Sequence, residues 1–364
     1  MIDPRDDERF MGAAIRIARQ HLGQTSTNPS VGCVIVRDGL IVGAAVTARG
    51  GRPHAETQAL AKAGEAARGA TAYVTLEPCA HYGRTPPCAN ALVAAGVARV
   101  VIAVVDPDPR VSGGGIGILR DAGIVVEIGV LQKQAMRDLR PYLIRHVEKR
   151  AHVTLKLAIS ADGMIGRQGE GQVAITGPIA RTQVQLLRAE TDAILVGIGT
   201  AKADNPELTV RLTGMDHLSP FRIVLDRRCE LPVPSKLADT TLAPTICACC
   251  GDEVFRCDEA SQSRSHALQA VGVEVWQVES LAALLNRLAE HGLSSLMVEG
   301  GAAVAKAFLD QDLVDRIHLY QGAGLVGPEG LASPLTKDNI PSAFTLFRRA
   351  VFGADLLLEY ERDF

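Results

Sequence analysis

Short apolar runs of strand length alternate with amphipathic stretches of helix length along almost the whole chain, and this alternation narrows the fold more than any other feature. Strands joined by helical crossovers pair in parallel, with the helices laid over the sheet, so the pattern predicts an α/β architecture. Phe10, Ala13, Ala14, Ile17 and Ala18 recur at helical spacing, and VGCVIV and LIVGAAV flank Asp38-Gly39 as a hairpin. A helix from His54, the strand TAYVTLEP, a helix from about Pro87, the strand RVVIAVVDP, a further helix and the strand IVVEIGV follow.

Between residues 132 and 150 the chain becomes charged and amphipathic, with Arg137, Arg140, Arg145, Lys149 and Arg150. It reads as a connecting helix and linker. The alternation then restarts with HVTLKLAIS, GPIARTQVQLLRAE, AILVGIGT, RIVLD, TICACC and VEVWQV, and continues through SLAALLNRLAEHG, SLMVEG, AVAKAFLDQDLV, RIHLYQGAG and LLLEYE. At 364 residues the chain exceeds one typical core, and we divide it into two α/β domains, residues 1–148 and 149–364.

The balance of charge, −3 with no run of Lys and Arg, argues against a large nucleic-acid surface and for a small-molecule partner. No apolar run approaches a membrane span, and MIDPRDDERF lacks the basic and apolar segments of a signal peptide. The expectation is a cytoplasmic protein without membrane partners. In that reducing compartment the eight cysteines are expected to bind metal, to react or to be buried, not to form disulfides.

One group of residues has the chemistry of zinc-dependent deamination. Such a site needs three soft ligands, an open fourth position for water, and a carboxylate that moves protons without binding the metal. Nucleobase deaminases provide them as His-x-Glu followed by Pro-Cys-x-x-Cys. Here His54-Ala55-Glu56 opens a predicted helix and Pro78-Cys79 ends a strand, but the second cysteine, Cys88, follows after eight residues instead of two. Pro86-Pro87 starts a helix that places Cys88 in its first turn, where the helix dipole favours a thiolate. His54, Cys79 and Cys88 are therefore the expected zinc ligands and Glu56 the expected general acid and base. The alternatives are a pair of buried thiols or a closed zinc site, for which His81 is the nearby fourth ligand.

The first half resembles the deaminase part of the RibD family, the bifunctional enzymes of riboflavin biosynthesis, at several separate motifs. These are Asn28-Pro29-Ser30-Val31-Gly32-Cys33, Pro53-His54-Ala55-Glu56, the stretch from Glu77 to Cys88 with Gly-Arg-Thr-Pro-Pro inside it, and Asp106-Pro107-Asp108-Pro109. The resemblance implies a cytidine-deaminase-like three-layer α/β/α domain. It also implies hydrolysis of the 2-amino group of 2,5-diamino-6-(5-phosphoribosylamino)pyrimidin-4(3H)-one to give 5-amino-6-(5-phosphoribosylamino)uracil. Asn28, His81 and Arg84 are the expected contacts of this phosphoribosyl-pyrimidine, with the long loop between the cysteines serving its recognition. Thr47 stands near the place where the family commonly has a histidine.

In the second half Glu299-Gly300-Gly301 lies between a strand and a helix, where backbone amides can approach a phosphate, although glycines there often serve close packing alone. Gly197-Ile198-Gly199-Thr200 followed by Asp204 and Arg211 places polar groups on a loop at a strand end, while lacking the third glycine of an ordinary dinucleotide site. Together with Leu155-Lys156-Leu157-Ala158, Ser160-Ala161-Asp162-Gly163, Ala174-Ile175-Thr176-Gly177 and Gln185-Leu186-Leu187-Arg188, these pieces resemble the reductase half of the same family. That resemblance implies a dihydrofolate-reductase-like α/β fold, NADPH as cofactor, and reduction of the opened ribose to ribityl. It places cofactor contacts at Ala158, Ala174, Thr200, Asp204, Gly301, Ala302, Ala303, Val304, Ala305, Lys306 and Ala307. Arg188, Leu208, Arg211 and Glu299 fall on the substrate, with the two arginines suited to its phosphate. Relatives often carry a tryptophan where this chain has Ala174. The family also leaves room for a homo-oligomer, a dimer or a tetramer.

Cys247, Cys249 and Cys250, with Cys257 nearby, form a second cysteine group. TICACC has strand character, and with no histidine or second close pair to complete a metal pattern, core packing is the expectation. His21, His217, His266 and His291 are read as surface or structural residues.

Overall fold

Every residue of the strand Thr71–Leu76 is buried, which requires cover on both faces of its sheet. In the computed structural model, which describes residues 4–82, 86–108, 112–167, 169, 171, 173–250 and 259–362, the chain divides into two units, Met1–Lys149 and Arg150–Phe364. The first runs α1 (Pro4–Ala18), β1 (Gly32–Arg37), β2 (Leu40–Val46), α2 (Ala55–Ala63), β3 (Thr71–Leu76), α3 (Cys88–Ala95), β4 (Arg99–Val104), α4 (Gly114–Asp121), β5 (Val125–Ile128) and α5 (Gln132–Val147). Its sheet has the order β2-β1-β3-β4-β5, with β1 antiparallel to both neighbours and β3, β4 and β5 parallel.

Two glycines show how the layers close. A Cβ at Gly32 would lie 2.0 Å from the Ala14 carbonyl oxygen of α1, and one at Gly43 would lie 2.3 Å from that of Ala59 in α2. Gly43 pairs with Ile35, three residues from Gly32, so the two glycines face opposite sides of the sheet. Helices thus press on both faces, giving the three-layer α/β/α arrangement. Asp7 of α1 is tied into the sheet. Its two oxygens accept from Arg99 Nη1 and Nη2 at 2.7 Å, Oδ1 also accepts from Tyr73 Oη at 2.8 Å, and Arg99 reaches Glu127 as well. The Arg99 hydrogen bonds hold the Asp7 carboxyl below the ordinary carboxylate range against the opposing effect of burial.

The second unit runs β6 (His152–Ile159), β7 (Met164–Arg167), α6 (Pro178–Ala189), β8 (Ala193–Gly197), α7 (Ile198–Asp204), β9 (Phe221–Leu225), β10 (Thr245–Cys250), α8 (Glu259–Ala270) and β11 (Glu274–Val278). Then follow α9 (Leu281–Glu290), β12 (Ser295–Val298), α10 (Ala302–Asp310), β13 (Arg316–Gln321), β14 (Gly330–Ala332), β15 (Phe344–Phe352) and β16 (Asp355–Arg362). Nine strands form one sheet in the order β11-β10-β9-β8-β12-β6-β13-β16-β15. The first seven are parallel, and β16 and β15 add an antiparallel edge. β7 and β14 pair separately.

One expectation changes here. The stretch from Ile198 to Asp204, read as a strand end and loop, is a helix that starts directly from β8, so Thr200 and Asp204 sit on α7. Gly199 inside it and Gly197 at its N-cap hide the helical signal, and the helix is only seven residues long. Arg222 of β9 is fully buried and donates to the carbonyl oxygens of Glu207, Lys236, Asp239 and Ala243, which fixes the connections around β9.

Candidate active sites

In the first unit three chain segments converge on one point. His54 is the N-cap of α2, Cys79 follows the buried end of β3, and Cys88 is the first residue of α3. Pro87 is the N-cap of α3 and not its first helical residue, but the effect on Cys88 is as expected. His54 Nδ1 lies 3.7 Å from Cys79 Sγ and 3.3 Å from Cys88 Sγ, and the three ligand atoms all lie within 4.8 Å of one another. Ligands about 2.0–2.3 Å from zinc at tetrahedral angles stand roughly 3.5 Å apart, so this donor set fits that ion.

The helix start also acts on the first cysteine. The Cys88 backbone amide donates to Cys79 Sγ at 3.2 Å. Hydrogen bonding from the Cys88 thiol, opposed by burial and joined by His54 and that amide, draws the Cys79 thiol down to about 4. His54 is raised in turn, chiefly by its hydrogen bond with Cys79. Glu56 is buried in the first turn of α2, and burial raises it to about 7 while the charge of His54 opposes the rise.

Beside these groups lies a cavity of about 280 Å³ lined by His54, Glu56 and Cys79, with Asn28, Thr47 and His81 on its wall. Asn28 and His81 thus line the same cavity as His54, Glu56 and Cys79, while Arg84 lies outside the described residues. Asn28 donates to the Gly51 carbonyl at 3.0 Å. Thr47 Oγ1 accepts from the Val31 amide at 3.0 Å, and His21 Nδ1 stands 2.7 Å from the Thr47 carbonyl oxygen, so this residue braces the cavity wall.

The wall also contains residues that sequence reasoning did not select, among them Arg52, Asp108, Arg145 and His146. Glu77, quoted only as part of a motif, proves to organise the floor. Its carboxylate accepts from the amides of Gly115 and Ile116 through Oε1, at 3.0 and 3.2 Å, and from those of Gly113 and Asp106 through Oε2, at 3.1 and 3.3 Å. It caps α4 from the residue just after β3 while standing next to Pro78-Cys79.

In the second unit a cavity of about 620 Å³ opens at the carboxyl ends of β8 and β9, where open α/β sheets bind ligands. Ala303, Val304 and Ala307 of α10 line it with Gly197, Ile198 and Gly199. A Cβ at Gly300 would lie 2.6 Å from Val304 Cβ, so that glycine serves the close approach of α10. The remaining expected cofactor residues divide. A Cβ at Gly301 would be 3.3 Å from Thr200 Oγ1, whereas Ala305 is buried and Lys306 pairs with Asp310 at the surface. Ala302 opens α10, Asp204 closes α7, Ala158 lies on β6 and Ala174 is exposed before α6; none of these four lines the cavity.

Arg227 and Arg228, which sequence reasoning passed over, do line it. The cleft has room for a dinucleotide, with the first turns of α7, α9 and α10 on its wall and Arg227 and Arg228 beside Asp226, Glu230 and Glu279.

The expected substrate residues form a buried ionic cluster. Arg188 Nε and Nη2 donate to the two oxygens of Glu299 at 3.0 and 3.1 Å, and Arg188 Nη1 donates to the Thr209 carbonyl at 3.2 Å. Lys156, another residue sequence reasoning did not select, stands 3.8 Å from Glu299. Burial would raise Glu299, but the charges of Arg188 and Lys156 outweigh it and hold the carboxyl at about 2. Leu208 is buried with φ +56°, and the exposed Arg211 is 3.7 Å from Glu207. The arginines therefore do not form the open pair expected for a phosphate. A buried guanidinium needs a counter-charge, and Glu299 supplies it.

Comparison with known proteins assigns both halves. Residues 151–358 match the family described as the RibD C-terminal domain, and residues 4–104 match the cytidine and deoxycytidylate deaminase zinc-binding region. The riboflavin biosynthesis protein RibD of Aquifex aeolicus (strain VF5) is 37% identical over 361 residues, which is 98% of each chain. The fold is similar to that of Acinetobacter baumannii RibD, form 1, with a TM-score of 0.86, 36% identity and full coverage of both chains. It is likewise similar to a Thermotoga maritima diaminohydroxyphosphoribosylaminopyrimidine deaminase/5-amino-6-(5-phosphoribosylamino)uracil reductase, with a TM-score of 0.84, 31% identity and 99% coverage of both.

Proposed function

The chain belongs to the RibD family of bifunctional deaminase–reductases in riboflavin biosynthesis, and we propose that its two reactions are carried by the two side-chain constellations described above. Residues 1–148 are the zinc-dependent deaminase and residues 149–364 the NADPH-dependent reductase. The observation that carries the first assignment is the convergence of His54, Cys79 and Cys88 beside the buried Glu56.

His54, Cys79 and Cys88 would hold zinc. Bound there, zinc supplies the Lewis acidity that makes water a nucleophile near neutral pH. Glu56, buried beside these ligands, would take a proton from the attacking water and deliver one to the exocyclic amino nitrogen, so that ammonia leaves. Asn28, His81 and Arg84 orient the phosphoribosyl-pyrimidine, which explains the eight residues between the cysteines.

In the reductase half, the cofactor supplies a hydride for C1 of the opened ribose. Gly301, Ala302, Ala303, Val304, Ala305, Lys306 and Ala307 present the start of α10 to it, with Ala158, Ala174, Thr200 and Asp204 as further contacts. Arg188, Leu208, Arg211 and Glu299 receive the substrate, and the Arg188–Glu299 pair fixes hydrogen-bonding groups for its hydroxyls. No helix of the described residues is long and apolar enough to cross a membrane. A cytoplasmic location belongs to the same proposal and rests on the sequence, while a homo-oligomer, dimer or tetramer, rests on the family resemblance.

Glu56→Gln tests the deaminase assignment. Ammonia release falls by about 10²–10⁴-fold, while bound zinc and the NADPH-dependent reduction of already deaminated substrate persist. Undiminished ammonia release would remove Glu56 from the mechanism.

A further inference from the structure

A second group of three sulfurs lies far along the chain from the deaminase motifs. Cys229, Cys247 and Cys249 are all buried, and their Sγ atoms lie within 4.8 Å of one another. Cys247 and Cys249 are two residues apart on β10 and so face the same side of the sheet. Cys229 comes from the turn after β9, with its Sγ 3.1 Å from that of Cys249. It adopts φ +51°, a left-handed conformation that costs a non-glycine residue free energy and persists only where its surroundings enforce it. That conformation delivers the third sulfur to the other two.

The turn is built around a carboxylate. Asp226 is buried and accepts from the Arg228 amide at 3.3 Å and the Leu231 amide at 2.7 Å. Its Oδ2 also stands 3.9 Å from Cys247 Sγ, an oxygen on the flank of the sulfur cluster. Arg264 of α8 clamps the turn from outside by donating to the Arg228 carbonyl at 3.0 Å.

We propose that Cys229, Cys247 and Cys249 form a second metal site, distinct from the deaminase centre, that takes a thiophilic d¹⁰ cation such as zinc. Three convergent thiolates are the donor set that selects such ions over hard cations. On binding, the three thiols release three protons to solvent and three sulfur–metal bonds form, with the Asp226 side of the cluster left for an oxygen ligand. Sulfurs sharing a tetrahedral zinc stand about 3.8 Å apart, so Cys229 retreats by less than about 1 Å. The site has no path for substrate through its buried sulfurs, and its role is to hold the turn. Because Arg227, Arg228 and Glu230 of that turn line the 620 Å³ cavity, the metal fixes one wall of the proposed cofactor site.

The test is metal stoichiometry on the full chain, purified under reducing, anaerobic conditions. His54→Asn combined with Cys79→Ser disables the deaminase centre. Elemental analysis is expected to find two zinc ions per wild-type chain and one in this double variant. Cobalt(II) titrated into the metal-free double variant is expected to give sulfur-to-cobalt charge-transfer absorption of a three-thiolate site. Adding Cys229→Ser, a change in a turn and not in a strand, is expected to abolish that absorption and the remaining zinc. One zinc in the wild type and none in the double variant, with no thiolate absorption from cobalt, overturns the proposal. So does a thiol count in denaturant two short of the eight cysteines, because it would show the sulfurs joined as a disulfide.

Discussion

Replacing Glu77 with glutamine probes a link between the fold and the deaminase centre that depends on one carboxylate. Glu77 is 3% exposed and accepts from four backbone amides, two through each oxygen. Glutamine keeps one oxygen and puts an amide donor where two N–H groups already point. Two buried donors lose their acceptor, at about 1–3 kcal/mol each, and the negative charge at the start of α4 is lost as well. Relaxation recovers part of this, so the expected loss of stability in the first unit is about 2–4 kcal/mol.

At a urea slope of about 2 kcal/mol/M, the unfolding transition then moves down by about 1–2 M. Because Glu77 immediately precedes Pro78-Cys79, zinc release should follow the same curve. The assay is zinc release to a chromogenic chelator against urea, with Trp276 fluorescence as the control, since that residue lies in the second unit. A shift below about 0.3 M, corresponding to an ordinary surface substitution, would refute the role given to the four amides.

Two further substitutions test the charge assignments. Asp7→Asn breaks the Asp7–Arg99–Tyr73 group and should cost about 2 kcal/mol, less than a fully buried pair because Glu127 still faces Arg99. Asp7 is held below its unfolded value, so its contribution is present above about pH 3.9 and is lost as pH falls through the folded value. The variant should show a flatter acid limb in thermal unfolding, and an unchanged limb would contradict the assignment. Glu299→Gln leaves Arg188 and Lys156 without their shared counter-charge, and should cost about 3 kcal/mol in the second unit and impair reduction while sparing deamination. With Glu299 held at about 2, wild-type stability from this cluster is present above the unfolded carboxylate value and declines as pH falls toward 2. Equal acid profiles for variant and wild type would show that the cluster is not coupled as described.

The strand–helix alternation and the His-x-Glu and Pro-Cys motifs were legible because each is a local signal: periodicity for the elements, proline and cysteine spacing for the ligands. The antiparallel edge strand β15 was not read, because most of its residues are exposed and carry no alternation between a core and a solvent face. α7 was missed because glycine weakens its propensity and its apolar content is too short to show a period. The pairing of Arg188 with Glu299 joins residues 111 positions apart, and nothing local marks either as the other's partner. Cys229 was likewise invisible as a companion of Cys247 and Cys249, since a turn and a left-handed residue bring it there. Motifs with fixed spacing reveal ligands supplied by neighbouring segments, whereas charge compensation in a buried cluster emerges only from the packed sheet.

The central claim, that one chain deaminates a phosphoribosyl-pyrimidine and then reduces the product, is tested most directly by following that substrate by mass. The purified protein is incubated with 2,5-diamino-6-(5-phosphoribosylamino)pyrimidin-4(3H)-one, first alone and then with NADPH. Without NADPH the product should show one amino group replaced by oxygen, with release of one ammonia. With NADPH the same product should gain two hydrogens as the cofactor is oxidised in equal amount. Ammonia release without any NADPH-dependent gain, or reduction of the substrate before its deamination, would contradict the account.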